Sequence, residues 1–172
     1  MIHLVGIGAV AADVLDPLAA RLARTLGDSC HVRSDRIDPA FAFDPVRSQY
    51  HATAILRRLA SVRGPEQRLL GVAAVDLYVP IFTFVFGEAQ VAGAAAVVST
   101  FRLQQEFYGL PAEPELTEER LAKSSMHELG HTYGLRHCHD WSCPMAASTA
   151  IERLDLKYDT YCDACQRAIF GG

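Results

Sequence analysis

The sequence predicts a mixed α/β (α+β) fold: a mostly parallel, twisted β-sheet covered by helices, followed by a small C-terminal part stapled by metal. Three observations carry this prediction. Short apolar runs of β type alternate with stretches of helical periodicity, as expected when parallel strands are joined through helices. One helical stretch carries His127, Glu128 and His131 at metal-ligand spacing, and four of the five cysteines follow it. A length of 172 residues with 50% hydrophobic content suits one domain with a real core. Residues 1–172 are therefore read as one domain, with an N-terminal subdomain of about residues 1–137 and a C-terminal subdomain of about residues 138–172.

Taken in order, Ile2 to Ile7 is an apolar strand, and Asp13 to Leu26 carries helical spacing through Val14, Leu18, Leu22 and Leu26. Cys30 to Ser34 is a short strand. Pro45 to Val62 reads as a helix with proline at its start. Leu69 to Val79 is a long apolar strand suited to the middle of a sheet. Phe82 to Phe86 and Ala94 to Ser99 are further strands, separated by a turn containing glycine. Leu110 to Leu116, rich in Pro and Glu, reads as an exposed loop. Thr117 then caps a helix whose first turn holds Glu118 and Glu119, which suit its dipole. Along that helix Ala122, Met126, Leu129 and Tyr133 form an apolar stripe facing the sheet, and His127 and His131 lie off it, toward a cleft. Thr149 to Tyr158 and Asp163 to Phe170 are the remaining helix candidates.

His127-Glu128-Leu129-Gly130-His131-Thr132-Tyr133-Gly134-Leu135-Arg136-His137 reads HExxHxxGxxH. Residues four apart stack on one helix face, so His127 and His131 aim two imidazoles at one ion. Gly134 tolerates the left-handed backbone that ends a helix, which brings His137 in as a third ligand. Three protein ligands leave the fourth tetrahedral position open, the mark of a catalytic zinc. Glu128 stands about 100° round the helix from His127, beside the metal and free to carry protons between water and a leaving amine. With seven His and twelve Gly in the chain, this spacing arises by chance roughly once in a thousand such sequences, which sets aside an incidental cluster.

Cys162-Asp163-Ala164-Cys165 is a CxxC, a common half of a structural zinc site, and Cys138 with Cys143 supplies the other half. Two disulfides are the alternative. The absence of a clear export signal favours metal. Two zinc ions per chain are expected, one catalytic and one structural. Cys30, alone in a strand, reads as a small buried apolar residue.

HExxHxxGxxHC, then Cys143-Pro144-Met145, then CxxC resembles the archaemetzincins, a branch of the metzincin clan of zinc peptidases. Val75 to Pro80 and Phe84 to Ala89 also resemble this family, so the likeness spans roughly residues 70 to 165. It implies a zincin/metzincin-like fold in which Met145 is the Met-turn residue, packed beneath the zinc ligands without binding the ion. It also implies that the fourth strand runs antiparallel along the cleft edge and pairs with substrate backbone. By position that strand is Phe82 to Phe86. Tyr158 and Tyr161 stand where tyrosines stabilise the oxyanion in some metzincins; ordinary packing is the preferred reading of both.

Other features are set aside. Gly6 to Ala11 resembles a dinucleotide loop, but its first glycine lies inside the apolar run, and a dinucleotide domain would leave no space for the zinc module. Residues 1–12 lack the basic start of a signal peptide and meet Asp13 at once. His3, His31 and His51 read as ordinary histidines, and His139 is a weak substitute in either zinc site. A net charge of −4 gives no sign of a nucleic-acid partner, and no run approaches a membrane span. The expected function is a zinc-dependent metallopeptidase acting on small peptides or unfolded segments, with an aminopeptidase-like preference implied only by the family. The competing reading is a catalytically silent zinc-containing peptide-binding scaffold, which would have no need of Glu128. A monomer in a reducing cytoplasm is expected.

Overall fold

The structure, a computed structural model, describes residues 1–65 and 67–171. Its main sheet has five strands in the order β2-β1-β5-β8-β7, namely β1 (Ile2–Ile7), β2 (Cys30–Ile37), β5 (Arg68–Ala73), β7 (Gly87–Ala89) and β8 (Ala95–Ser99). Strands β1, β2, β5 and β8 pair in parallel, and β7 closes one edge antiparallel to β8. A small second sheet joins β3 (Phe43–Asp44), β4 (Gln49–His51) and β6 (Leu77–Tyr78).

Side chains alternate across the main sheet, and both faces are covered, so its strands read as nearly continuous apolar runs. On one face Leu4, Leu70, Val72 and Val98 pack under α1 (Ala12–Leu26) and α3 (Pro114–Thr132). On the other, Val5, Ile7, Leu69 and Val97 meet Ile55 and Leu59 of α2 (Ala52–Val62). In α3 the predicted stripe of Ala122, Met126 and Leu129 is buried, and Tyr133 ends the helix. After the long loop of residues 133–150 come α4 (Ile151–Asp155) and α5 (Asp163–Phe170). Two ion pairs tie this region back: Arg120 of α3 to Asp155 at 2.7 Å, and Arg21 of α1 to Asp159 at 2.7 Å.

Several expected elements differ, each for a local reason. The helix predicted from Pro45 begins at Ala52, because Asp44 Oδ1 accepts the backbone N–H groups of Val46 and Arg47 and makes residues 44–48 a hairpin turn. The run Leu69 to Val79 is two strands. The chain leaves the main sheet after Ala73, and Asp76 is engaged by Arg102 at 2.7 and 2.8 Å and by Gln49 at 3.0 Å. Phe82 to Phe86 is not a strand. The Phe82 and Thr83 carbonyls accept from the Arg47 guanidinium, and Thr83 also from Gln49, so they are unavailable to a ladder. Val85 makes one isolated bridge to Leu77, and the antiparallel edge strand is Gly87–Ala89 instead. Thr117 is not an N-cap. The helix starts three residues earlier, with Pro114 in its first turn, and the Thr117 hydroxyl donates back to Glu113 O. Strand β2 runs three residues past Ser34, past a register shift, since an edge strand accommodates Arg33, Asp35 and Arg36.

Candidate active site

Helix α3 delivers two histidines one turn apart, and the chain then reverses at Gly134, whose φ of +92° suits glycine alone. The reversal is held by Leu135 N–H donating to Gly130 O at 3.0 Å, and it carries His137 back over the helix. The three imidazole rings form a triangle with centroids 4.7, 5.2 and 5.1 Å apart. One nitrogen from each lies within 4.8 Å of the others. His127 Nε2 and His131 Nε2 are 3.1 Å apart. Two nitrogens bound tetrahedrally to one zinc at 2.0–2.1 Å would stand about 3.3 Å apart, so the pair is set at the spacing of a shared ion.

The other ring nitrogens have fixed partners. His127 Nδ1 donates to Pro144 O at 2.7 Å and His131 Nδ1 to Leu135 O at 2.8 Å. With Nδ1 protonated, Nε2 presents its lone pair to the metal position. Burial pushes the His127 imidazole down to about 3, and burial also lowers His131, so both rings are neutral at physiological pH, as metal ligation requires. The residues present therefore fit a tetrahedral zinc ion with one open position.

Glu128 is 7% exposed and lines a cavity of about 350 Å³ together with His127, His137, Phe84, Phe86 and Leu154. Burial, with Glu88 nearby, pushes its carboxyl up to about 8. A cation beside a carboxylate acts in the opposite sense and favours the charged, proton-accepting form. Gly87, at the start of strand β7, lines this cleft, and the outer edge of β7 carries no further strand among the described residues.

The four cysteines after the motif form a second donor set, with their sulfurs all within 4.8 Å of one another. Cys138 and Cys162 sulfurs are 3.8 Å apart, and those of Cys143 and Cys165 are 3.9 Å apart. A disulfide requires about 2.05 Å, whereas two thiolates on one zinc at about 2.3 Å stand about 3.8 Å apart. The arrangement fits a closed, four-thiolate metal site and not two disulfides. Cys30 is apart from it, half-buried, and its thiol is pushed up to about 11 mainly by burial.

The two donor sets share a backbone. Cys138 directly follows His137, and its N–H donates to Met145 O at 2.9 Å. Met145 is fully buried, and its thioether packs so closely on Gly130 that a Cβ there would overlap the sulfur. That contact explains why a glycine occupies the middle of the HExxH helix.

The structure brings together the three histidines and, separately, the four cysteines singled out in the sequence, with Glu128 in the cleft beside the first set and Met145 packed on Gly130. His139 is exposed and belongs to neither set. Tyr161 is 5% exposed and donates its hydroxyl to Met126 O at 2.6 Å, underneath α3; Tyr158 is 68% exposed. Two features escaped the sequence reading. One is Lys157, 4% exposed, which lines the cleft and donates to the carbonyls of Pro144 and Ala146. The other is the Arg120–Asp155 pair that docks α4 on α3. Neither has a local signature, since both partners are distant in sequence.

Comparison with known proteins agrees with this geometry. Residues 23–170 match the model of peptidase family M54. The archaemetzincin of Methanocaldococcus jannaschii is 37% identical over 160 residues, covering 91% of this chain and 88% of that protein. The crystal structure of a zinc-dependent peptidase from Methanocorpusculum labreanum superposes with a TM-score of 0.87 at 32% identity, covering 98% of this chain and 100% of the other. That of the Methanopyrus kandleri archaemetzincin gives a TM-score of 0.83 at 34% identity, covering 98% and 93%.

Proposed function

This chain belongs to peptidase family M54 and is a zinc metallopeptidase, and on that premise we propose that it hydrolyses peptide bonds with Glu128 as the proton carrier for the attacking water. The observation that carries the proposal is the buried Glu128 carboxyl standing in the same cleft as His127 and His137, beside a three-histidine cluster in which carbonyl acceptors orient His127 and His131. A zinc ion held by His127, His131 and His137 would supply Lewis acidity, lowering the pKa of a water to about 7 and polarising the scissile carbonyl. Glu128 faces the cleft, where its carboxylate would accept the water proton and then deliver it to the leaving amine. The water-poor surroundings of Phe84, Phe86 and Leu154 strengthen each of these electrostatic contacts.

The open edge of β7 supports a substrate in extended conformation, its backbone adding to the sheet. Small peptides and unfolded segments meet that requirement, and an aminopeptidase-like preference is the finer form of the proposal. The sulfur spacing at Cys138, Cys143, Cys162 and Cys165 supports a second, structural zinc, giving two ions per chain. All donors come from one chain, which supports action as a monomer. The four free thiols support a reducing cytoplasm as the setting. No helix of the described residues is long and apolar enough to cross a membrane.

The test is hydrolysis of a diverse peptide library by the zinc-loaded protein, read by mass spectrometry beside Glu128→Ala. Cleavage that disappears in the variant supports the proposal, and the cut sites give the specificity. Equal cleavage by both proteins would remove Glu128 from the mechanism. No cleavage by either, with zinc bound, would favour a peptide-binding role.

A further inference from the structure

A lysine that is 4% exposed is unusual, because an ammonium taken out of water costs several kcal/mol unless its donors are satisfied. Lys157 spends two of its three donors on the carbonyl of Pro144, at 3.1 Å, and on that of Ala146. These are the residues on either side of Met145. Pro144 O is also the acceptor of His127 Nδ1–H, at 2.7 Å. One carbonyl oxygen is thus pinned from two directions, by an ammonium and by the ring of a metal ligand.

We propose that Lys157 is a positioning residue of the active site: it clamps the Met145 turn through the Pro144 and Ala146 carbonyls and, through Pro144, sets the orientation of His127 toward the metal. The proposal rests on the three-histidine site being a zinc site. No side chain of the turn can replace the clamp. Pro144 has no N–H to anchor itself, and Met145 offers only packing against Gly130. The turn is also held by Cys138 N–H on Met145 O at 2.9 Å and by Ala146 N–H on Cys143 O at 3.0 Å, both bonds involving residues of the thiolate site. Lys157 therefore ties the turn from the cleft side while Cys138 ties it from the thiolate side. Its partners lie 11 and 13 residues away in sequence and carry no side-chain functionality, which is why composition and spacing are silent about it. Burial lowers the ammonium to about 8, which still leaves it mostly charged at neutral pH.

The experiment compares wild type with Lys157→Met, which keeps an unbranched apolar stem and removes every donor, and Lys157→Gln, which keeps two donors. Affinity of the histidine site is read by chelator competition, and metal retained at the four thiolates reports that the fold is intact. Loss of a group that orients a ligand typically weakens metal binding about 10- to 100-fold. Lys157→Met should show that loss with the thiolate-bound ion unchanged, Lys157→Gln should fall between, and kcat should fall with KM nearly constant. Wild-type affinity in a folded Lys157→Met protein would overturn the proposal. Should both variants fail to fold, proton NMR of the zinc-loaded wild type decides. A slowly exchanging Lys157 ammonium beside a protected His127 Nδ1–H supports the clamp, and a freely exchanging ammonium overturns it. A wild type that binds zinc but cleaves nothing would overturn the peptidase mechanism alone, since affinity and exchange are read without turnover.

Discussion

Replacing Tyr161 by Phe separates a packing tyrosine from a catalytic one. Its hydroxyl donates to Met126 O at 2.6 Å, and the ring is buried between α3 and the thiolate-bearing loop. Met126 lies in the interior of α3, so its carbonyl keeps a helical partner when the hydroxyl is removed, and no acceptor is orphaned. The loss is then one net hydrogen bond, about 1 kcal/mol, toward the low end of the cost of breaking a buried pair. For a domain of this size, that lowers Tm by about 2–4 °C. A hydroxyl aimed at a reacting carbonyl behaves differently, since removing one oxyanion donor costs about 100- to 1,000-fold in kcat. The assay is a thermal melt with zinc in excess, run beside peptide hydrolysis by the same preparation. The expected result is a small drop in Tm with kcat/KM within about threefold of wild type. A kcat reduced a hundredfold at unchanged Tm would refute the reasoning and put the hydroxyl in the cleft.

Three further outcomes are expected. In chelator-treated protein Glu128→Gln should gain stability relative to wild type as pH rises from 4.5 to 8. Burial raises the folded-state carboxyl to about 8 against an ordinary 4.5, so the wild-type contribution is complete below 4.5 and is lost as pH climbs through 8. The gain, on the order of a few kcal/mol, is read from denaturant melts at the two pH values, and a pH-independent difference would contradict it. His137→Ala should release the metal at the histidine site while the thiolate-bound ion stays; elemental analysis that still finds both ions would hand the third-ligand role to another group. Cys162→Ser should remove an ion from the four-thiolate site and lower Tm sharply, because a metal held by Cys138, Cys143, Cys162 and Cys165 would tie the C-terminal segment together and contribute directly to folding. An unchanged melting curve would show the four sulfurs to be structurally idle.

Much of this molecule was legible before any coordinates, and the legible parts share one property: they are local. A four-residue helical repeat places His127 and His131 together whatever surrounds them, and a glycine three positions later permits the turn to His137. The CxxC at Cys162 and Cys165 is equally self-contained. The alternation of apolar runs, with the stripe of Ala122, Met126 and Leu129, was enough to specify a covered, mostly parallel sheet. Tertiary structure decided where distant groups compete for backbone. Arg47 and Gln49 take the carbonyls of Phe82 and Thr83, and so the edge strand moves to Gly87–Ala89. Arg102 and Gln49 engage Asp76 where an unbroken apolar strand was expected. Tyr161 is drawn beneath α3, and Lys157 is drawn to the Pro144 carbonyl that also orients His127. Each of these is a hydrogen bond between residues 13 to 36 positions apart. Side-chain spacing along the chain carries the ligand set, whereas the partners of buried donors are chosen only when the chain has closed on itself and every buried polar group must find an acceptor.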